Sequence, residues 1–163
     1  MRPPVARRAA LVLLLAGVAL QPGCAEPERI ALAQPPIEVR LHLEREDGRS
    51  AERFVAGETV GLVLTVRNPG ETPWRLGLST AQSHDFAIGT SDGQELWRWS
   101  ADRRFAQRLG ELALEPGEER RFRTHWRPAH AALPPGRYRA AGWIGGRSRG
   151  PGAELEFRVA ARD

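Results

Sequence analysis

The amino-acid sequence predicts an all-β fold, an antiparallel β-sandwich of about eight strands. Apolar and polar residues alternate in short runs from Ile37 onward, and this two-residue period is typical of half-buried strands. Turn signals rich in glycine, proline, asparagine and aspartate separate the runs roughly every ten residues, which is a spacing found in sandwiches. No segment after residue 36 combines helical spacing with the length of a long helix.

The first predicted strand has the clearest pattern, because Ile37, Val39, Leu41 and Leu43 alternate with polar or charged residues. Side chains two residues apart point to the same face of a strand, so these four would face a core. The predicted strands, in chain order, are IEVRLHLE (37–44), ETVGLVLTVRN (58–68), WRLGLS (74–79), DFAIGT (85–90), QELWRWS (94–100), RRFRTHWR (120–127), RYRAAGWIG (137–145) and AELEFRV (153–159).

One short helical turn is predicted over residues 100–110, SADRRFAQRLG. Ser100 or Asp102 can cap its start, and Gly110 can end it. Phe105 and Leu109 are four residues apart, so a helical turn would place both on one side.

Two tryptophans, Trp97 and Trp99, lie in the strand before this turn and share one of its faces. We expect them to close one end of the core, with Phe105 packed against them. The alternative is a platform that binds a sugar or a peptide, because paired exposed tryptophans also form such a surface. The sequence leaves both interpretations open.

The N-terminus has the pattern of an export signal. A basic segment precedes the 12 apolar residues 9–20, a run too short for a bilayer span of about 20 residues. Cys24, the only cysteine, follows QPG and resembles a bacterial lipobox cysteine; cleavage after Ala33 is the alternative. We therefore expect a lipoprotein-type signal over 1–23 and a flexible tether over 24–36. The domain would span 37–163, anchored to a membrane on the periplasmic or cell-surface side.

The charge pattern disfavours nucleic acid as a partner. Residues 1–23 hold three of the 24 basic residues and no acid, so 21 arginines face 20 acids in the rest of the chain. The two signs alternate closely, whereas nucleic-acid binding needs a one-sided basic field. With Cys24 lipidated no disulfide is possible, so we expect the fold to be held by its core alone. The core of about eight alternating strands also leads us to expect a monomer.

No catalytic constellation is predicted. Residues 146–150, GRSRG, match the G-x-S-x-G pattern, but a nucleophile elbow needs a following helix and a later histidine. Pro151 follows instead, and the last histidine is His130. The histidines are scattered at positions 42, 84, 125 and 130, and the only methionine is the initiator. The sequence therefore indicates no enzyme, no metal and no cofactor.

The order of turns and aromatic residues resembles the BsuPI family of intracellular proteinase inhibitors, from about Ile37 to Val159. The most specific part is a Q-x-x-D-F segment (Gln82, Asp85, Phe86), followed by an Asp-Gly turn, the W-R-W-S strand and a phenylalanine. The resemblance implies an Ig-like sandwich and inhibition of a subtilisin-type serine protease. It supplies no reactive-site residues, and the export signal departs from an intracellular inhibitor.

The sequence therefore leaves two candidate functions. The first is a cell-envelope module that binds a protein, with a serine protease as the implied partner. Its expected contact is the stiff loop HAALPPG (130–136), through His130, Leu133, Pro134 and Pro135; the face of the two tryptophans is the alternative surface. The second function is an accessory or structural envelope lipoprotein without inhibitory activity.

Overall fold

The computed structural model describes residues 37–128, 133–146 and 149–162, and every regular element in them is a β-strand. The strands are β1 (Glu38–Glu44), β2 (Arg53–Val55), β3 (Val60–Arg67), β4 (Trp74–Leu78), β5 (His84–Thr90), β6 (Glu95–Arg98), β7 (Gly110–Leu114), β8 (Glu119–Trp126), β9 (Gly136–Ile144) and β10 (Gly152–Ala160). Within those residues no helix has the length and apolarity to cross a bilayer. The predicted export signal, the tether, Cys24 and His130 lie outside the described residues.

The strands form the predicted Ig-like β-sandwich. A three-stranded sheet has the order β1-β3-β8, a five-stranded sheet the order β2-β10-β9-β5-β6, and β4 pairs with β7. Every pair is antiparallel except the short β2 against β10. Leu43 and Leu64 from the first sheet share one core with Phe86 and Phe157 from the second. The sheets approach closely at Gly142, where an added Cβ would lie 3.1 Å from Leu64 Cδ1 and 3.2 Å from Phe86 Cδ1.

Strand β3 is the middle strand of the three-stranded sheet, and it is buried on both faces, although one face of this sheet points away from the core. Leu62 and Leu64 face the sandwich interior and are fully buried. Val63 points to the opposite face but is only 1 % exposed. Its register partners are His42 on β1 and Arg123 on β8, so both lie beside it on that face, and both contact Glu44. This explains why β3 has a nearly continuous apolar run rather than a strict alternation.

The predicted helical turn over residues 100–110 is wrong. Ala101 N donates to Arg98 O and Arg103 N donates to Ser100 O, so the chain makes tight turns without a helix. Ala106 O accepts a hydrogen bond from Ala81 N, 3.0 Å away, a bond to another part of the chain that holds the backbone out of a helical conformation. The chain then continues into β7. Neither β7 nor the short β2 was predicted from the sequence.

A buried asparagine joins the end of β3 to the small β4–β7 sheet. Asn68 is fully buried, and its Nδ2 donates to the carbonyls of Thr72 at 2.8 Å and Leu114 at 3.0 Å. Its Oδ1 accepts from Gly70 N at 3.0 Å. The side chain therefore satisfies three backbone groups of the NPGETP turn and the end of β7.

We expect Asn68→Ala to lower the free energy of unfolding by about 3 kcal/mol, because it leaves buried carbonyl groups without donors. Denaturant unfolding of the full chain measures the loss. Thr72→Ala is the matched control, since the bond uses the backbone carbonyl of Thr72, and it should change stability little. Equal stability of the Asn68 variant and the wild type would contradict this role.

Candidate functional site

Trp97 and Trp99 lie on the inner face at the edge of the five-stranded sheet. Trp97 is the register partner of Ile88 on β5, and Trp99 N donates to Phe86 O. Both rings are half-buried against the core. The Trp97 ring lies 6.2 Å from that of Trp126, so the two tryptophans are covered by different partners. Each therefore has a packing role, and their role in binding stays a prediction.

Phe105 covers Trp99 alone, with 5.7 Å between the ring centroids. On its other side Trp99 lies against His84, whose ring centroid is 4.4 Å away. Phe122 of β8 stacks on the opposite face of His84, also at 4.4 Å. This column of rings connects the two layers of the sandwich, because His84 belongs to one sheet and Phe122 to the other.

His84 is a neutral packing residue in this column. Burial lowers the pKa of His84 to about 4, with Arg103 acting in the same direction and Asp85 opposing it. The imidazole Nδ1 lies 3.1 Å from Ser83 Oγ. The adjacent Asp85 carboxylate is occupied by other donors, so Ser83, His84 and Asp85 do not have the bonding of a catalytic triad.

Asp85 connects β5 to the turn that follows β6. It is 2 % exposed, and its Oδ1 accepts from Phe86 N at 2.9 Å and Ser100 N at 3.1 Å. Its Oδ2 accepts from Ser100 Oγ at 2.6 Å and lies 3.7 Å from Arg98 Nη1. The aspartate of the Q-x-x-D-F segment therefore fixes the W-R-W-S strand to its neighbour.

Arg98 points away from the two tryptophans that flank it, to the outer face of the sheet. Its guanidinium lies 5.1 Å from the ring centroid of Trp143 on β9, and that of Arg149 lies 4.4 Å from the same ring. Arg98 also forms a salt bridge with Glu95. The W-R-W order thus places aromatic rings inside and a cation outside, as the alternation of a strand requires.

Residues 103–109 connect the turn after β6 to β7, and we call them the 103–109 segment. None of them belongs to a strand, and all except Phe105 are exposed. Arg103 Nε donates to Trp99 O at 3.0 Å, and its guanidinium lies 4.3 Å from the Trp99 ring. With Phe105 on Trp99 and Ala106 bonded to Ala81, the segment is exposed but attached to the domain.

A cleft of about 980 Å³ lies beside this segment. Its lining includes polar side chains of Thr80, Gln82, Ser100, Arg104 and Gln107. The lining contains no histidine or cysteine among the described residues, and its one carboxylate, that of Asp85, is held by internal hydrogen bonds. The one carboxylate of this lining is therefore not free to act as a general base.

The predicted binding loop is described from Leu133 onward. Leu133 is half-buried and packs against the core, so its side chain is partly used in the fold rather than presented freely. Pro134 and Pro135 are exposed. Tyr138 Oη donates to Pro134 O at 2.7 Å, which holds this part of the loop against β9.

Two further features of the sequence remain: the residue types that bind metals and the GRSRG match at 146–150. No cluster of three or more histidine, cysteine, aspartate or glutamate side chains that could hold a metal occurs among the described residues. In the GRSRG match Arg149 stacks on Trp143, while positions 147 and 148 lie outside that part of the chain. The 103–109 segment was not predicted as a site, because Phe105 and Leu109 were assigned to one face of a helix.

Comparison with known families gives a match over more than half of the chain. The family model described as BsuPI, intracellular proteinase inhibitor, matches residues 49–149. No curated protein matches the chain.

Similar folds occur among solved structures. The C-terminal domain of wzt has a TM-score of 0.47 at 14 % identity, over 80 % of this chain and 75 % of that one. The CARDB domain of the PF1109 protein from Pyrococcus furiosus has a TM-score of 0.41 at 14 % identity, over 80 % and 90 %. A β-glucosidase from Listeria innocua has a TM-score of 0.43 at 12 % identity over 78 % of this chain, which spans only 16 % of that enzyme.

We expect the stability of the domain to fall as the pH drops from 6.5 towards 4, in part because of His84. In this range the unfolded chain binds a proton at His84, whose ordinary pKa is 6.5, while the folded chain does not until about pH 4. His84→Phe keeps the aromatic column and removes this contribution, so its free energy of unfolding should depend less on pH. Denaturant unfolding at pH 7, 5.5 and 4 measures the difference.

The exposed His125→Gln is the control for that series and should follow the wild type. A His84→Phe profile parallel to that of the wild type would show that His84 titrates alike in both states.

Proposed function

Because the chain belongs to the BsuPI family of intracellular proteinase inhibitors, we propose that it is a non-enzymatic protein-binding module that inhibits a serine protease. An inhibitor does not itself need catalytic residues, so membership of this family is consistent with a non-enzymatic role. The observation that carries the proposal is the 103–109 segment, an exposed stretch outside every strand. Phe105 attaches it to the core at Trp99, and a hydrogen bond joins Ala106 to Ala81.

An inhibitor of this kind needs a segment that projects into a concave active site and is already ordered before binding. Ordering a loose loop on binding costs about 0.5–1.5 kcal/mol for each immobilised side chain and weakens affinity. Many small inhibitors meet this requirement with disulfides, but this chain has a single cysteine. In the 103–109 segment, Phe105 packed on Trp99 and the hydrogen bond from Ala81 to Ala106 supply a noncovalent support.

The loop around Pro134 and Pro135 is a second candidate contact in this proposal. Its exposed prolines are restricted in φ, and the bond from Tyr138 to Pro134 holds the backbone. His130 and Leu133 belong to the same predicted contact. Leu133 is a poor probe of binding, because its half-buried side chain also contributes to the core.

We further propose that the protein acts outside the cytoplasm as an anchored monomer. The support is the basic segment and the apolar run before Cys24, which together have the pattern of a lipoprotein signal. Its partner would then be an envelope or extracellular protease rather than an intracellular one. An accessory envelope lipoprotein that binds a protein without inhibiting it is the alternative function.

We expect the purified full chain to inhibit a serine protease at a stoichiometry of one to one. Titration of subtilisin, chymotrypsin and trypsin with the chain, read by peptide-substrate hydrolysis, measures this. Each protease with its active-site serine chemically blocked is the control for binding at the active site, and it should be captured much less than the free enzyme. Equal capture of free and blocked enzyme without inhibition would favour the accessory function.

Two variants separate the other candidate surfaces in the same assay. Pro135→Ala removes an exposed proline, and loss of inhibition with unchanged unfolding would assign binding to the loop at 133–136. Trp97→Ala tests the tryptophan face: a stable variant without inhibition would make that face the binding surface.

We expect the native protein to begin at Cys24 and to carry two or three acyl chains, because a single chain gives only marginal membrane binding. Mass spectrometry of protein extracted from membranes of the producing cell measures the N-terminus and the lipid mass. Cys24→Ser is the control and should leave the protein unlipidated. A native chain that starts after Cys24, or that retains residues 1–23, would contradict the lipoprotein assignment.

A further inference from the structure

We infer that Leu109 is the side chain that enters the specificity pocket of the inhibited protease, and that this pocket is apolar. The inference rests on the proposed inhibitory function. Leu109 is 87 % exposed, whereas the next bulky apolar side chains that the structure describes as exposed, Leu96 and Val55, reach 41 % and 39 %. A single exposed leucine is ordinary on a protein surface, so the inference depends on how the backbone around Leu109 is held.

The backbone is fixed on both sides of Leu109. On the N-terminal side, Ala106 O accepts from Ala81 N at 3.0 Å and from Arg108 N at 3.0 Å. The second bond closes a compact turn directly before Leu109. On the C-terminal side, Gly110 begins β7 and pairs with Leu78 of β4. Leu109 therefore projects from a short, doubly anchored stretch, and little further ordering is needed when a partner binds.

Gly110, which follows Leu109, is not required by the fold. Its φ is not among the positive values that favour glycine, and an added Cβ would meet Leu78 Cβ at 3.9 Å, an ordinary contact distance. Glycine inside a strand is otherwise destabilising. The missing side chain leaves the backbone next to Leu109 open to close approach by another molecule, as a protease active site would make.

The charge around Leu109 points to a partner with an acidic rim. Arg103, Arg104 and Arg108 lie in the segment, and no acid occurs between Asp102 and Glu111. Among the described residues, no salt bridge involves Arg104 or Arg108. Arginines at the rim of an interface accelerate association more than they raise affinity.

Leu109 enters an apolar pocket more favourably than its arginine neighbours, because leucine and arginine differ in the cost of leaving water. An exposed guanidinium is well hydrated, and its transfer into an apolar pocket is costly. An exposed leucine gains free energy in the same transfer, by about 25 cal/mol for each Å² of apolar surface removed from water. A chymotrypsin-type pocket is an apolar slot, whereas a trypsin-type pocket carries a buried carboxylate that selects arginine. With Leu109 as the inserted side chain, the target class is proteases with an apolar pocket.

The test compares the full wild-type chain with two variants, Leu109→Arg and Gly110→Ala, against subtilisin, chymotrypsin and trypsin. Leu109→Arg should raise the inhibition constant for the proteases with an apolar pocket at least 30-fold, the loss typical of a central interface residue. The same variant should gain inhibition of trypsin. Gly110→Ala should also weaken inhibition, while its unfolding midpoint stays equal to that of the wild type or rises, because alanine is favoured over glycine in a strand.

Matched controls lie on two other strands, β6 and β4. Leu96→Arg changes another exposed leucine, on β6. Gly77→Ala adds a methyl group to β4, where nothing lies within 4 Å of the new Cβ. Both should keep the inhibition constant of the wild type within about threefold, the scatter expected of surface substitutions.

Each result decides the inference. Unchanged inhibition by folded Leu109→Arg, with a wild type that inhibits, would overturn the role of Leu109 and leave the inhibitory function standing. Inhibition of trypsin alone by the wild type would overturn the apolar pocket. A wild type that inhibits none of the three proteases would overturn the proposed function, and the inference with it.

Discussion

The hydrogen bonds between the buried carboxylate of Asp85 and Ser100 determine the arrangement of the candidate site. They fix the end of β6 to β5 at the point where the chain leaves the sheet. The preceding residue, Trp99, is thereby held between His84 and Phe105. The 103–109 segment starts from this fixed position, so its course depends on a carboxylate that it does not contact.

The free-energy balance at Asp85 explains why one residue can have this effect. Removing an ionised carboxylate from water is costly unless strong donors replace the lost hydration. Here two backbone N–H groups and one hydroxyl donate to it, and Arg98 lies 3.7 Å away. Hydrogen bonds to a charged group contribute about 1.5–3 kcal/mol each. Loss of the bonds from Ser100 would leave the buried carboxylate with fewer donors, so the position of the turn after β6 is coupled to the burial of Asp85.

Most strands could be predicted from the sequence, but the course of the chain after β6 could not. Alternation in the sequence predicted eight of the ten strands, because most of them bury one face. It missed β2, with three residues, and β7, whose start at Gly110 had been assigned to the end of a helical turn. The helix prediction used Ser100 as a possible cap, but its hydroxyl donates to Asp85, fifteen residues earlier. A local pattern cannot reveal a competing bond of this range.

The candidate site was less predictable than the fold for the same physical reason. Helical spacing predicted that Phe105 and Leu109 would lie together, whereas Phe105 is half-buried on Trp99 and Leu109 is exposed. Conversely, Leu133 was expected to be free for binding but packs partly on the core. In both cases the side chain's exposure depends on long-range contacts that the sequence does not display.

The chain has a single cysteine, and the contacts that hold the 103–109 segment are noncovalent: hydrogen bonds at Arg103 and Ala106 and the packing of Phe105. The column formed by Phe105, Trp99, His84 and Phe122 runs from the segment through one sheet into the other. A rigid core transmits displacement because its side chains are close-packed. Phe122 is therefore connected to Phe105 through His84 and Trp99. The aromatic contacts that stabilise the sandwich in this region thus also order the candidate binding segment.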